Sequence, residues 1–185
     1  MKLLYPVKYI YISQGFNGKT HFGIDMGWKN GVCGGKNQPV YAPADGEVIK
    51  VVNNYKTRDS SGTSYGNYIL IKHDNNTKTR VAHLKYKSCL VKKGDKVKRG
   101  DKIATMGDTG HATGYHTHYE VIKKGKCVDP IIYTYYTDEY IIANVTKKEY
   151  KLKKLNVVNN KLEIKIEKSG WYKIYLNEGE TLIVK

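Results

Sequence analysis

Apolar and polar positions alternate in short runs along most of the chain, and each run stops at Gly, Asp or Asn. A period of two is the mark of a strand with one buried face. Leu3 to Ile12 alternates loosely, enough for one or two edge strands ahead of a turn at Gln14-Gly15-Phe16-Asn17-Gly18. Val40-Tyr41-Ala42 and Glu47-Val48-Ile49-Lys50-Val51 flank Asp45-Gly46, a tight-turn pair, and predict a hairpin. Further strands are expected from Gly66 to Asp74, from Thr79 to Leu84, between the Gly94-Asp95 and Gly100-Asp101 turns, and from Tyr115 to Lys123. Residues 26–39 carry four glycines and little alternation, which predicts a loop of the length found at functional sites. No segment sustains a 3.6-residue period. The predicted fold class is mainly β.

After Asp129-Pro130 the pattern changes. A Tyr-rich connector, Tyr133 to Tyr140, leads into a Lys-, Ile- and Val-rich stretch. There Leu162, Ile164 and Ile166 alternate, as do Tyr172, Ile174 and Leu176, with turns at Ser169-Gly170 and Glu178-Gly179. The expected division is residues 1–137 as the main domain and 138–185 as a small β-rich C-terminal module. So small a unit has little core of its own, so it is expected to pack on the main domain or pair with a second copy as a homodimer. The connector tyrosines could stack on sugars or cover a seam between modules.

Composition narrows the class. With 185 residues and 40% hydrophobic side chains the chain has enough material for a core. The formal net charge of +15 draws the molecule toward polyanions, and most of the excess lies within 1–137. No aromatic–basic RNA signature, zinc-finger spacing or recognition helix is present, so no nucleic-acid partner is expected. Cys33, Cys89 and Cys127 form no C-x-x-C pair and are expected to be reduced. Met1 to Lys8 lacks the apolar stretch of a signal peptide, and no run is long enough to span a membrane, which predicts synthesis in a cytoplasm.

The chemistry is concentrated in two stretches. In Tyr115-His116-Thr117-His118-Tyr119-Glu120 the two histidines, one residue apart on a strand, point to the same face. In His21-Phe22-Gly23-Ile24-Asp25 the spacing of four also brings both side chains to one face. Hydrolytic zinc sites use three His, Asp or Glu ligands and leave one position open. His21, Asp25 and one histidine of the pair would satisfy that, leaving the other beside the metal. His73 and His83 are available as further acid–base groups. His73, at a strand end before Asp74-Asn75-Asn76, reads as a turn cap or an exposed side chain, and His111 as an ordinary loop residue.

Taken in order, these segments resemble the lysostaphin/LytM-type zinc endopeptidases of bacterial peptidoglycan. The resemblance runs from about Gly15 to Val121. It takes in His21 to Asp25, Ala42-Pro43-Ala44-Asp45-Gly46, Gly66-Asn67-Tyr68 and Ala82-His83-Leu84. It continues through Gly94 to Gly100, Gly107-Asp108-Thr109-Gly110 and His116 to Glu120. It implies an antiparallel β-sheet core of that peptidase type, with a duplicated hybrid motif. It implies His21, Asp25 and His118 as ligands of Zn2+, and His83 and His116 as the unliganded catalytic histidines. Tyr115 and Thr117 stand where the family usually has Pro and Leu, which leaves substrate preference open. Bacterial peptidoglycan is the implied partner, with anionic wall polymers as further partners of the basic surface. Charge, layout and the lack of a leader suggest a phage endolysin, made in the host cytoplasm and acting on the wall after release. The alternatives are a wall-binding or assembly protein that keeps the peptidase fold, or a lipoyl-type carrier suggested by Gly94-Asp95 to Gly100 and the Pro43 to Val48 segment. A carrier would leave the histidines unexplained.

Overall fold

The computed structural model describes residues 2–27, 35–59, 64–135, 141–142, 155–158 and 161–164. Two compact units are present, Met1–Asn144 and Val145–Lys185. In the first, the strands are β1 (Leu3–Leu4), β2 (Tyr9–Ile10), β3 (Ile12–Gln14), β4 (Ile24–Gly27), β5 (Pro39–Tyr41), β6 (Gly46–Val52) and β7 (Asn67–Lys72). They continue with β8 (Thr77–Leu84), β9 (Lys96–Val97), β10 (Lys102–Thr105), β11 (His116–Lys123) and β12 (Lys126–Val128). One helical turn, α1 (Pro130–Tyr133), then leads to β13 (Thr134–Tyr135) and β14 (Ile141–Ile142). In the second unit the described residues form one antiparallel pair, β15 (Leu155–Val158) with β16 (Lys161–Ile164).

The centre of the first unit is an eight-stranded sheet in the order β3-β4-β11-β8-β7-β6-β9, with β12 also paired to β11. Its strands are antiparallel neighbours. Alternation decides its two faces. Ile24, Met26, Ile69, Ile71, Val81, Tyr119 and Val121 point inward and are buried. They pack in one core with Val40, Ala42, Ile103, Ala104 and Met106 of the β5–β10 region and with Leu3, Tyr5 and Val7 of the N-terminal segment. Asp25, Arg80, His118 and Glu120 alternate with these apolar residues and share the opposite face.

Two sequence expectations are corrected. Val40 to Val51 is not a hairpin: β5 pairs with β10, whereas β6 pairs with β7 and β9. Asp45-Gly46 is a corner that carries the chain from one sheet into another. Gly46 passes so close to β7 that a Cβ would lie 2.5 Å from the Lys72 carbonyl oxygen. The Asp45 carboxylate accepts the Arg99 backbone N–H at 2.8 Å, tying the corner to the turn after β9. Likewise the stretch expected as a loop over 26–39 begins as strand. Met26 is fully buried in the core and Gly27 pairs with His116 in β4. Pro39 lies at the edge of the β5–β10 pair, where its missing N–H costs no ladder bond.

The N-terminal strands find partners far along the chain. Leu3–Leu4 pairs in parallel with Thr134–Tyr135, and Tyr9–Ile10 with Ile141–Ile142. Of the connector tyrosines, Tyr133 packs partly against the core under the Lys123 ammonium, 4.3 Å from its ring centroid, and Tyr135 is exposed. Residues 136–140 lie outside the described residues, as do Cys33, Ile166, Tyr172 to Leu176 and the turns at Ser169-Gly170 and Glu178-Gly179. Among the described residues no helix is long and apolar enough to cross a membrane.

Candidate metal centre

The register of β4 on β11 sets Asp25 directly opposite His118. His21 arrives from the turn before β4. There the Asn17 side chain accepts the backbone N–H groups of Lys19, Thr20 and His21, each at 2.9 Å. At Gly23 the backbone of this turn meets β11. A Cβ there would lie 2.5 Å from the Tyr119 carbonyl oxygen and 2.8 Å from the His118 ring.

Three donor atoms converge. Asp25 Oδ1 lies 3.1 Å from His21 Nε2 and 2.7 Å from His118 Nδ1, and the two nitrogens are 3.2 Å apart. Four zinc ligands at roughly 2.0–2.1 Å define a tetrahedron with edges of about 3.3 Å, close to this triangle. The tautomers agree. His21 Nδ1 donates to the Gly15 carbonyl at 2.8 Å, which leaves Nε2 with its lone pair toward the cluster. Two imidazoles and one carboxylate suit a borderline-soft ion such as zinc, so the residues present fit the metal.

Burial opposes charge on His118, but Asp25 and Glu120 accept from its two ring nitrogens and raise it to about 9. Burial also works against ionised Asp25, yet the His118 hydrogen bond and the surrounding imidazoles hold it down at about 2. A metal held by this triad would have to displace the His118 proton, so its binding would be favoured by rising pH.

His83 and His116 lie beside the triad with ring centroids 4.6 Å apart. His83 Nδ1 donates to the Thr109 carbonyl at 2.8 Å and His116 Nδ1 to the Gly114 carbonyl at 2.9 Å. Each Nε2 thus keeps a lone pair, and that of His116 is 3.7 Å from Asp25 Oδ1. Burial, reinforced by His116, pushes His83 down to about 4. His116 is lowered chiefly by burial as well, with Asp25 opposing. His83 has φ +57°, a left-handed conformation uncommon for a residue with a Cβ and one that clusters at functional sites.

All five residues singled out in the sequence thus lie in one cluster. His73 is elsewhere and is not exposed. It is buried, donating from Nδ1 to the Asp45 carbonyl at 2.8 Å and accepting the Thr79 hydroxyl at Nε2 at 2.7 Å. It is a core histidine that joins β8 to the Asp45 corner. His111 is exposed in the loop before β11. Sequence reasoning missed the supports. Asn67 is fully buried, accepts the Tyr55 N–H at 2.8 Å, and donates to the Tyr55 and Leu84 carbonyls. Its own N–H donates to Thr109 Oγ1 at 3.0 Å, which fixes the segment that holds His83. Glu120, two residues beyond His118 on the same strand face, is equally buried, and its spacing was the available signal.

A family model described as Peptidase family M23 matches residues 19–130. Peptidoglycan DD-endopeptidase ShyB of Vibrio cholerae is 40% identical over 137 residues, 68% of this chain and 28% of that protein. Murein hydrolase activator NlpD of Escherichia coli is 38% identical over 114 residues, 60% of this chain and 27% of that protein. The chain therefore spans well under half the length of either relative. A crystal structure described as a zinc containing peptidase from Vibrio cholerae is 37% identical with a TM-score of 0.57, covering 70% of this chain and 39% of that one.

Proposed function

This chain belongs to peptidase family M23, and from that footing we propose that it is a zinc-dependent endopeptidase acting on peptide bonds in the cross-links or stem peptides of bacterial peptidoglycan. The observation that carries this reading is the packing of a three-donor metal cluster against two buried, neutral histidines. His21 Nε2, Asp25 Oδ1 and His118 Nδ1 are the proposed ligands. What a zinc ion supplies at such donors is polarisation of a carbonyl and acidification of water at neutral pH.

His83 and His116 carry the proton chemistry in this reading. With Nδ1–H tied to a carbonyl, each can only accept at Nε2 until it takes up a proton. One imidazole therefore removes the proton of the attacking water at Nε2 and, once charged, returns it to the leaving amine. An imidazolium so formed also donates to negative charge developing on the carbonyl oxygen. Burial keeps both rings neutral and so ready to accept.

The similarity to an endopeptidase named for DD bonds makes such cross-links the first substrate to try. Similarity to a murein hydrolase activator supplies the second reading, a non-enzymatic wall protein. The complete donor set with both neighbouring histidines favours hydrolysis. Within the first reading we propose a phage-type lysin that acts on the wall after release, its basic charge favouring contact with anionic wall polymers.

The test is release of new amino groups from purified peptidoglycans of several cross-link types. Wild type is expected to release them, to stop on chelation and to resume on added zinc, whereas His118→Ala stays inactive. A zinc-loaded wild type that opens no wall would favour the non-enzymatic reading.

A further inference from the structure

We infer that Glu120 is a positioning residue of the metal centre, clamped by Arg80 and Tyr65 so that the His118 ring presents Nδ1 to His21 and Asp25. This rests on the zinc reading above and assigns the outer support of that site.

Glu120 has no exposed surface, and four groups converge on its carboxylate, the weakest being the Cys127 thiol at 4.0 Å from Oε2. Its Oε1 lies 3.2 Å from His118 Nε2 and accepts the Tyr65 hydroxyl at 2.8 Å. Its Oε2 accepts Arg80 Nη1 at 2.8 Å. A carboxylate so placed can only accept, so in the neutral ring the hydrogen of His118 sits at Nε2 and the lone pair available to a metal sits at Nδ1. Turning the ring over would break the Glu120 bond and remove Nδ1 from Asp25 together.

The clamp is itself held. The Arg80 guanidinium stacks over the Tyr65 ring at 4.1 Å and reaches that of Tyr68 at 5.6 Å. Tyr65 also works through its backbone, where its carbonyl accepts the His83 N–H at 3.0 Å. One residue therefore fixes a proposed ligand through its side chain and a proposed proton carrier through its main chain. A buried carboxylate is costly unless paired, and shape alone would be served as well by an aliphatic side chain. Orientation of His118 gives this one a purpose, because partners outside the ligand sphere fix ring and tautomer.

The experiment measures zinc affinity of the full chain by competition with a chromophoric chelator, with thermal melting of each metal-free variant alongside. Glu120→Gln is expected to weaken zinc binding by roughly 10- to 100-fold. Tyr65→Phe, which keeps the ring under Arg80, is expected to weaken it less, with an unchanged melting temperature. In zinc-loaded Glu120→Gln, the 15N shifts of His118 are expected to report mixed ring states where wild type gives one. Wild-type zinc affinity in folded Tyr65→Phe and Glu120→Gln would overturn the inference. Should Glu120→Gln fail to fold, an unchanged affinity in Tyr65→Phe overturns it alone. Wild-type protein that takes up no zinc overturns the metal reading and this inference with it.

Discussion

His83 concentrates several physical demands in one residue. Its buried ring favours the neutral imidazole, reinforced by His116 and opposed by the Nδ1 bond to Thr109, and its backbone is left-handed. Its proton affinity is lowered from the ordinary 6.5 to about 4. Below about pH 6.5 the unfolded chain takes up this proton first, so folded stability falls as pH drops from there toward 4 and gains nothing above it. NMR titration of the His83 ring in metal-free protein is expected to give a midpoint near 4. A midpoint near 6.5 would refute the buried neutral ring. Thr117 poses the opposite case, a fully buried hydroxyl with no hydrogen-bond partner between the two histidines of the proposed site. Its side chain faces the core while theirs face the site. Thr117→Val is therefore expected to raise stability by about 1 kcal/mol, read from chemical denaturation, and to leave zinc content unchanged.

At the scale of elements, the site depends on loops that touch through glycine. A Cβ on Gly66 would lie 2.3 Å from the Thr109 carbonyl oxygen, and Gly66 has φ +57°. Gly66→Ala combines left-handed strain with a backbone clash. It is expected to cost about 2 kcal/mol or more, lower the melting temperature by several degrees and shift the His83 ring resonances. Strands β7, β8 and β11 were legible in the sequence because β-branched and aromatic residues run between turn residues in each. Burial alternates cleanly only in β7, whereas β11 is buried on both faces from His116 to Val121. The face shared by His116 and His118 followed from the two-residue period of a strand. The Asp45-Gly46 corner was misread because its turn residues are those of a hairpin, and only the partners of β5 and β6 tell the two apart. The parallel pairing of β1 with β13 was illegible too, since two-residue strands have no period. Asn67 and Glu120 escaped notice because burial turns a polar side chain from a solvated group into a hydrogen-bonded brace, and burial depends on the fold.

For the whole molecule, charge and division are the relevant facts. A net charge of +15 draws the molecule toward polyanions, and the proposed capture by anionic wall polymers is expected to weaken as salt rises. Residues 138–185 are proposed as the wall-targeting or dimerising part. Truncation before residue 145, between the two units, is expected to weaken sedimentation with intact walls while sparing cleavage of soluble cross-linked fragments. Unchanged sedimentation would assign wall affinity to the first unit.

The ladder between β4 and β11 joins residues that leave the ribosome far apart in time. His21 and His118 are separated by 97 positions, and β1 waits for Thr134 before it can pair. Contacts of such long range form late, because the loop between them must close first. A nascent chain halted before His118 holds two of the three proposed ligands, so in the zinc reading partial translation products are expected to be inert. The proposed hydrolase comes into being only when the unit that houses it is nearly complete.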